Sequence, residues 1–206
     1  MSRLPGFMKD SLSTIASPTA RPEEMVTAVT GLLDTERRLE ALSRAVEAYR
    51  EASRSLGILD ESRSGQRVCD SWAKLSRFFL APLLGGSNVF AGKMTDQEQV
   101  PAGYEAIGAR WERLIPEIEA FVLEEKTLER LFAESPVSAH VGFGFRSRLL
   151  LLDRRAERIK VGLDLLRRDL TQAARTGLEH LALSLGARPR GVGRGAPAAD
   201  GSGAAT

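Results

Sequence analysis

The sequence predicts an all-α protein, an elongated antiparallel three-helix coiled-coil bundle with a short amphipathic helix before it and a disordered tail after it. Three observations predict this. Apolar residues recur alternately three and four apart over three long stretches, and no β-hairpin signal appears between them. The longest stretch, residues 145–186, would be about 63 Å long at 1.5 Å per residue, whereas a compact chain of this size forms a sphere only about 42 Å across. A helix of that length does not fit inside a ball, so the segments are expected to lie side by side as rods.

The first 18 residues form a segment of their own. Leu4, Phe7, Met8, Leu12 and Ile15 fall on one helical face, with Arg3, Lys9, Ser11, Ser13 and Thr14 away from it and Pro18 at the close. So short a helix is marginal alone in water. Three readings are compatible with it: an arm docked on the bundle, a helix inserted at a membrane interface, or a targeting segment.

The helical domain is expected over 22–186. Its first stripe, roughly 22–57, runs Met25, Val29, Leu32, Leu39, Leu42, Val46, Tyr49, Ala52 and Leu56, with Glu36 filling one turn. Pro22 followed by Glu23 and Glu24 marks its start, because proline suits the first helical position and acids suit the positive end of the helix dipole. A shorter stretch, 66–84, carries Val68, Trp72, Leu75, Phe79 and Leu83 and stops at Pro82, Gly85 and Gly86; it either prolongs the first helix past a bend or packs separately. Residues 85–103 read as a loop or a frayed helical entry, with Thr95 and Glu98 at capping-box spacing.

The second long stripe, roughly 102–134, is Tyr104, Ile107, Trp111, Leu114, Ile118, Phe121, Leu128 and Phe132, interrupted only by Glu125. Pro116 sits inside it without changing its phase, which predicts a kink and not a terminus. A glycine-bearing turn follows. The third stripe runs Phe145, Leu149, Leu152, Ala156, Ile159, Leu163, Leu166 and Leu170, then less strictly Ala174, Leu178, Leu181 and Leu185, with Gly186 as cap and Pro189 beyond. From Ala187 to the end the chain is glycine, alanine and proline with little to bury, and is expected to be disordered.

Leu150, Val161 and Leu165 point away from the third stripe. A helix exposed on its back does not need them, so they form a candidate dimer interface, covered either by a second copy or by segment 66–84. Charge is also sorted along the chain. Residues 143–190 hold eleven bases against five acids, while 95–134 hold ten acids against four bases. Either the two helices lie side by side and pair their flanks, at about 0–1 kcal/mol per surface pair, or the basic surface faces anionic lipid, at about 1 kcal/mol per base.

Function classes narrow quickly. With 29 Lys and Arg against 27 Asp and Glu, the net charge of +2 does not suggest a dedicated nucleic-acid binder. No run reaches the roughly 18 apolar residues of a membrane span. One cysteine, Cys69, permits no intramolecular disulfide and no cysteine cluster for zinc. His140 and His180 stand 40 residues apart without a carboxylate at ligand spacing, and the glycines of GVGRG at 191–195 lack the strand and helix of a phosphate loop. The expectation is no enzyme, no cofactor and no metal.

The stretch EASRSLGILDESRSGQRVCDSWAKLSRFF, 51–79, resembles the first long helix of the sorting-nexin type of BAR domain, where a Leu-Gly step precedes an apolar helix ending in phenylalanines. RLLLLDRRAERIK, 148–160, is similar to the leucine and basic run of later helices in that superfamily. The resemblance implies a cytoplasmic, peripheral membrane protein: a homodimer that binds an anionic, curved membrane surface. Arg154, Arg155, Arg158, Lys160, Arg167 and Arg168 would be its basic face, and Leu4, Phe7, Met8, Leu12 and Ile15, with Lys9, its inserted wedge. The rival from another class is a helical adaptor whose second apolar strip receives a partner protein's helix.

Overall fold

The computed structural model describes residues 4–55, 100–134 and 141–186. Segment 66–84, the Thr95 and Glu98 capping box, Cys69, His140 and the tail from 187 lie outside the described residues. The chain is all-α: α1 (Gly6–Ala16), α2 (Pro22–Ser55), α3 (Glu105–Glu134) and α4 (Val141–Ser184), with no strand among the described residues.

The helix ends follow from local chemistry. Pro22 opens α2, and the Glu24 carboxylate reaches back to accept the Arg21 backbone N–H at 3.0 Å, filling one of the donors left open at a helix start. That backbone bond, followed by the bond from the Arg21 side chain, holds the Glu24 carboxyl below the usual carboxylate range. Glu105 caps α3 similarly by accepting the Gly103 N–H at 3.0 Å, and Gly103 takes the left-handed φ of 91° that such a turn needs. α4 ends at Ser184, and Gly186, at φ 71°, donates its N–H to Leu183 O at 3.1 Å as the closing glycine. α3 runs on through Pro116 as one helix.

α4 is the central element. Leu149, Leu152, Ala156, Ile159, Leu163, Leu166 and Leu170 are all buried, so the third stripe is core. Met25, Val29, Leu32, Leu39, Leu42, Val46 and Tyr49 of α2 and Ile107, Trp111, Leu114, Ile118, Phe121 and Leu128 of α3 complete it. Cross-helix bonds fix the directions. Glu36 of α2 meets Arg167 of α4 while Arg50, further along α2, meets Asp153, earlier in α4. Arg110 of α3 meets Asp169, and Glu124 meets Arg148. α2 and α3 therefore each run antiparallel to α4 and parallel to each other, so α2 ends and α3 begins at opposite ends of α4.

Two polar breaks in the stripes have internal partners. Glu36 pairs with Arg167 at 2.8 Å. Glu125, fully buried, accepts the Tyr49 hydroxyl at 2.6 Å, and the Tyr49 ring meets Phe121 edge-on, with centroids 5.5 Å apart.

The looser continuation of the α4 stripe holds in part: Ala174 is buried and Leu181 packs partly buried against the core. Leu178 and Leu185 are exposed, because two successive steps of four from Leu170 rotate those positions off the core. Beside Ala174 the packed face also takes in Ala173 and Gly177, where α1 crosses. A Cβ on Gly177 would stand 2.6 Å from Val29 Cγ2 and 3.1 Å from Ile15 Cγ1, so only glycine lets the three helices approach this closely.

Candidate functional site

The face of α4 opposite the core is built from Leu150, Arg154, Glu157 and Val161, spaced four, three and four, with Leu165 and Arg168 following. This spacing repeats the core rule on the outside of the helix, since such steps return to one side about once every turn. The result differs from the core. Leu150 is 43% exposed and Val161 54% exposed, Arg154 and Arg168 are exposed, and Leu165 is half-buried. Leu151, beside the strip, is also exposed.

The flanks of α4 are taken by ion pairs. Toward α2, Lys160 reaches Glu47 at 3.3 Å and Asp164 at 3.5 Å, and these acids hold its ammonium above the usual lysine range. Arg167 meets Glu36 and, at 3.5 Å, Glu40. Arg50, itself buried, bonds Asp153 at 3.2 Å and Glu157 at 3.3 Å, and the Ser43 hydroxyl donates to Asp164 at 2.8 Å. Toward α3, Glu117 takes both Arg155 (3.2 Å) and Arg158 (3.1 Å), and Glu124 takes Arg148 at 2.7 Å.

Of the six candidate membrane-facing bases, Arg155, Arg158, Lys160 and Arg167 are thus engaged with acids of α2, α3 or α4 itself. Arg154 and Arg168 have no acidic partner among the described residues. Both lie on the outer strip. The acidic second stretch and the basic third stretch of the sequence do pair along their flanks, and the surplus charge collects on the back of α4.

The candidate wedge lies elsewhere. Leu4, Met8, Leu12 and Ile15 are buried, with the apolar face of α1 turned onto α2 and α4; Lys9 is half-buried, and Phe7 alone of the apolar five is about half exposed. In this conformation those four side chains belong to the core and are not presented to a bilayer. The His180 Nδ1 donates to Ile15 O at 3.3 Å and ties the end of α1 to α4.

Where α1, α3 and α4 meet there is a cleft of about 440 Å³ lined by Ile15, Tyr104, Ile107, Asp169, Thr176 and His180. Three of its polar groups are engaged: Asp169 pairs with Arg110 at 2.5 Å, His180 holds Ile15, and the Thr176 hydroxyl donates to Gln172 O. A second cleft of about 330 Å³, across His180, is walled by Met25, Leu181 and Leu183. No group of three or more potential metal ligands occurs among the described residues.

Sequence reasoning misses Arg50 and Glu125. Charge alone marks neither as buried; the available signal was that Glu125 sits in phase with an otherwise apolar stripe and that Tyr49 occupies the matching stripe of α2, a phenol that needs a buried acceptor. Compared with family models, curated proteins and solved structures, the chain matches none of them.

Proposed function

We propose that this chain is a non-enzymatic helical docking module whose working surface is the outer strip of α4, occupied by a helix of a partner chain. The observation that carries the reading is the contrast across α4: one side is fully buried, while Leu150, Leu151 and Val161 stand exposed on the other. An isolated exposed leucine is ordinary, but apolar residues recurring at seam spacing on a second face are what a helix needs when it packs on two sides. In this reading the three long helices are an elongated coiled-coil bundle, the framework that holds α4 in place.

A second reading takes the same strip to an anionic, curved membrane surface, as the BAR-superfamily resemblance implies, with the protein cytoplasmic and peripheral. Arg154 and Arg168 favour it, since both are exposed and neither is in an ion pair among the described residues. The wedge fits it less well: inserting α1 would first require removing four side chains from the core, on the order of 1.5–3 kcal/mol each. No helix among the described residues is long and apolar enough to cross a membrane.

Co-sedimentation with vesicles, with and without anionic lipid and at two salt concentrations, separates the readings. The docking reading expects no salt-sensitive vesicle binding. Binding that requires anionic lipid and weakens on Arg154→Glu would transfer the function to the membrane.

A further inference from the structure

We infer that the occupant of the α4 strip is a second copy of this chain, laid antiparallel so that Leu150 of each protomer meets Val161 of the other, and Arg154 of each meets Glu157 of the other. The inference rests on the reading of this face as a docking surface and names its partner and register.

Symmetry and charge select this partner and this register. Leu150, Arg154, Glu157 and Val161 lie within an arc of about 60° on the outside of α4, and they are disposed symmetrically about a point midway between Arg155 and Ala156. A two-fold axis through that point is the element that closes an isologous dimer. It brings complementary residues together at these four positions: apolar on apolar at the ends, and an arginine on a glutamate twice at the centre.

The competing registers are worse. An axis at Val161 sets Arg154 of one copy on Arg168 of the other, and a parallel arrangement stacks Arg154 on Arg154 and Glu157 on Glu157. Like charges facing across an interface are what selects against wrong partners and wrong registers. Glu157 remains available for the new contact. It is an exposed residue, and Arg50, its partner within the chain, keeps Asp153 at 3.2 Å. The same carboxylate argues against lipid as the occupant, since it would stand in the middle of a membrane-facing strip.

Sedimentation velocity on the full chain tests this through charge exchange. Wild type is expected to sediment as a dimer, twice its 22.4 kDa mass. Arg154→Glu and Glu157→Arg are each expected to weaken the dimer about 100-fold, because each places like charges together twice. An equimolar mixture of the two variants restores opposite charges at both central contacts and should dimerise within about tenfold of wild type, as should the double variant carrying both changes. Both positions are on the exposed side of α4, and because Glu157 also pairs with the buried Arg50, circular dichroism and urea unfolding check that Glu157→Arg leaves the monomer folded.

Single variants that stay dimeric, or a mixture that stays monomeric, would overturn the register. Val161→Glu keeps this apart from the underlying reading. If it abolishes the dimer while charge exchange fails, the face stands and the register falls; if it leaves the dimer intact, the face itself is wrong. A monomeric wild type overturns the second copy as occupant.

Discussion

α1 and the outer strip of α4 give the same signal in the sequence, apolar residues on one helical side with polar ones behind, yet the molecule treats them oppositely. The apolar face of α1 is buried within the chain, while Leu150 and Val161 are left outside. The difference lies in what surrounds each. α1 has a prepared seat: Gly177 admits Ile15 and Val29 at close range, Gly31 lies where its missing Cβ would be 3.3 Å from Ser11 Oγ, and His180 closes the end. The α4 strip has Arg154 and Glu157 set between its apolar residues, charges that an intramolecular core could not accept without specific partners. An apolar face therefore announces a partner, and the small or charged residues in and opposite it tell whether that partner is inside the chain.

Truncation on each face should break the comparison most sharply. Leu12→Ala removes a fully buried side chain of α1 and should cost about 2–5 kcal/mol in urea unfolding, or release α1 in an early separate transition. Val161→Ala, measured at concentrations too low for association, should change stability by less than about 0.5 kcal/mol. Filling the seat is the next test. Gly177→Leu forces a side chain into Val29 and Ile15, with an expected loss of about 1–3 kcal/mol and faster proteolysis between residues 17 and 21.

Tyr49 lies far along α2 from the start, where α1 docks, and is a control for both faces. Burial first, and the Glu125 charge next, push its phenol well above its ordinary value. Below about pH 10 both folded and unfolded chains keep the proton; above it only the unfolded chain ionises, so this contribution to stability is lost as pH rises. Tyr49→Phe should flatten that alkaline decline and cost about 1–3 kcal/mol at neutral pH by taking the donor from a buried carboxylate. The smallest effect is expected at Arg175, whose bond to Glu179 is on the surface: Arg175→Ala should change stability by at most about 0.5 kcal/mol.

Much of the fold is legible in the sequence because period and punctuation are local. Pro22 opens α2, Gly186 closes α4, and Leu152 to Leu170 line the core as their spacing dictates. What period leaves out is the partner. It gives the face of α1 but not the glycine opposite it, so Met8 and Leu12 read as well for a bilayer as for a seat on α2 and α4. It sorts bases into α4 and acids into α3 but does not say that α2 supplies Glu36, Glu40 and Glu47 for the other flank. Nor does it give the parallel run of α2 and α3, which is fixed by contacts of each with α4. Arg50 is illegible for a related reason: its burial depends on Asp153, about a hundred residues later, lying opposite.

The central claim is that α4 is complete on one side and incomplete on the other. Light scattering across a concentration series, on wild type and on Val161→Glu, tests it most directly. The account predicts a concentration-dependent dimer for wild type and a helical monomer for the variant at every concentration. Equal masses for the two proteins throughout would contradict it.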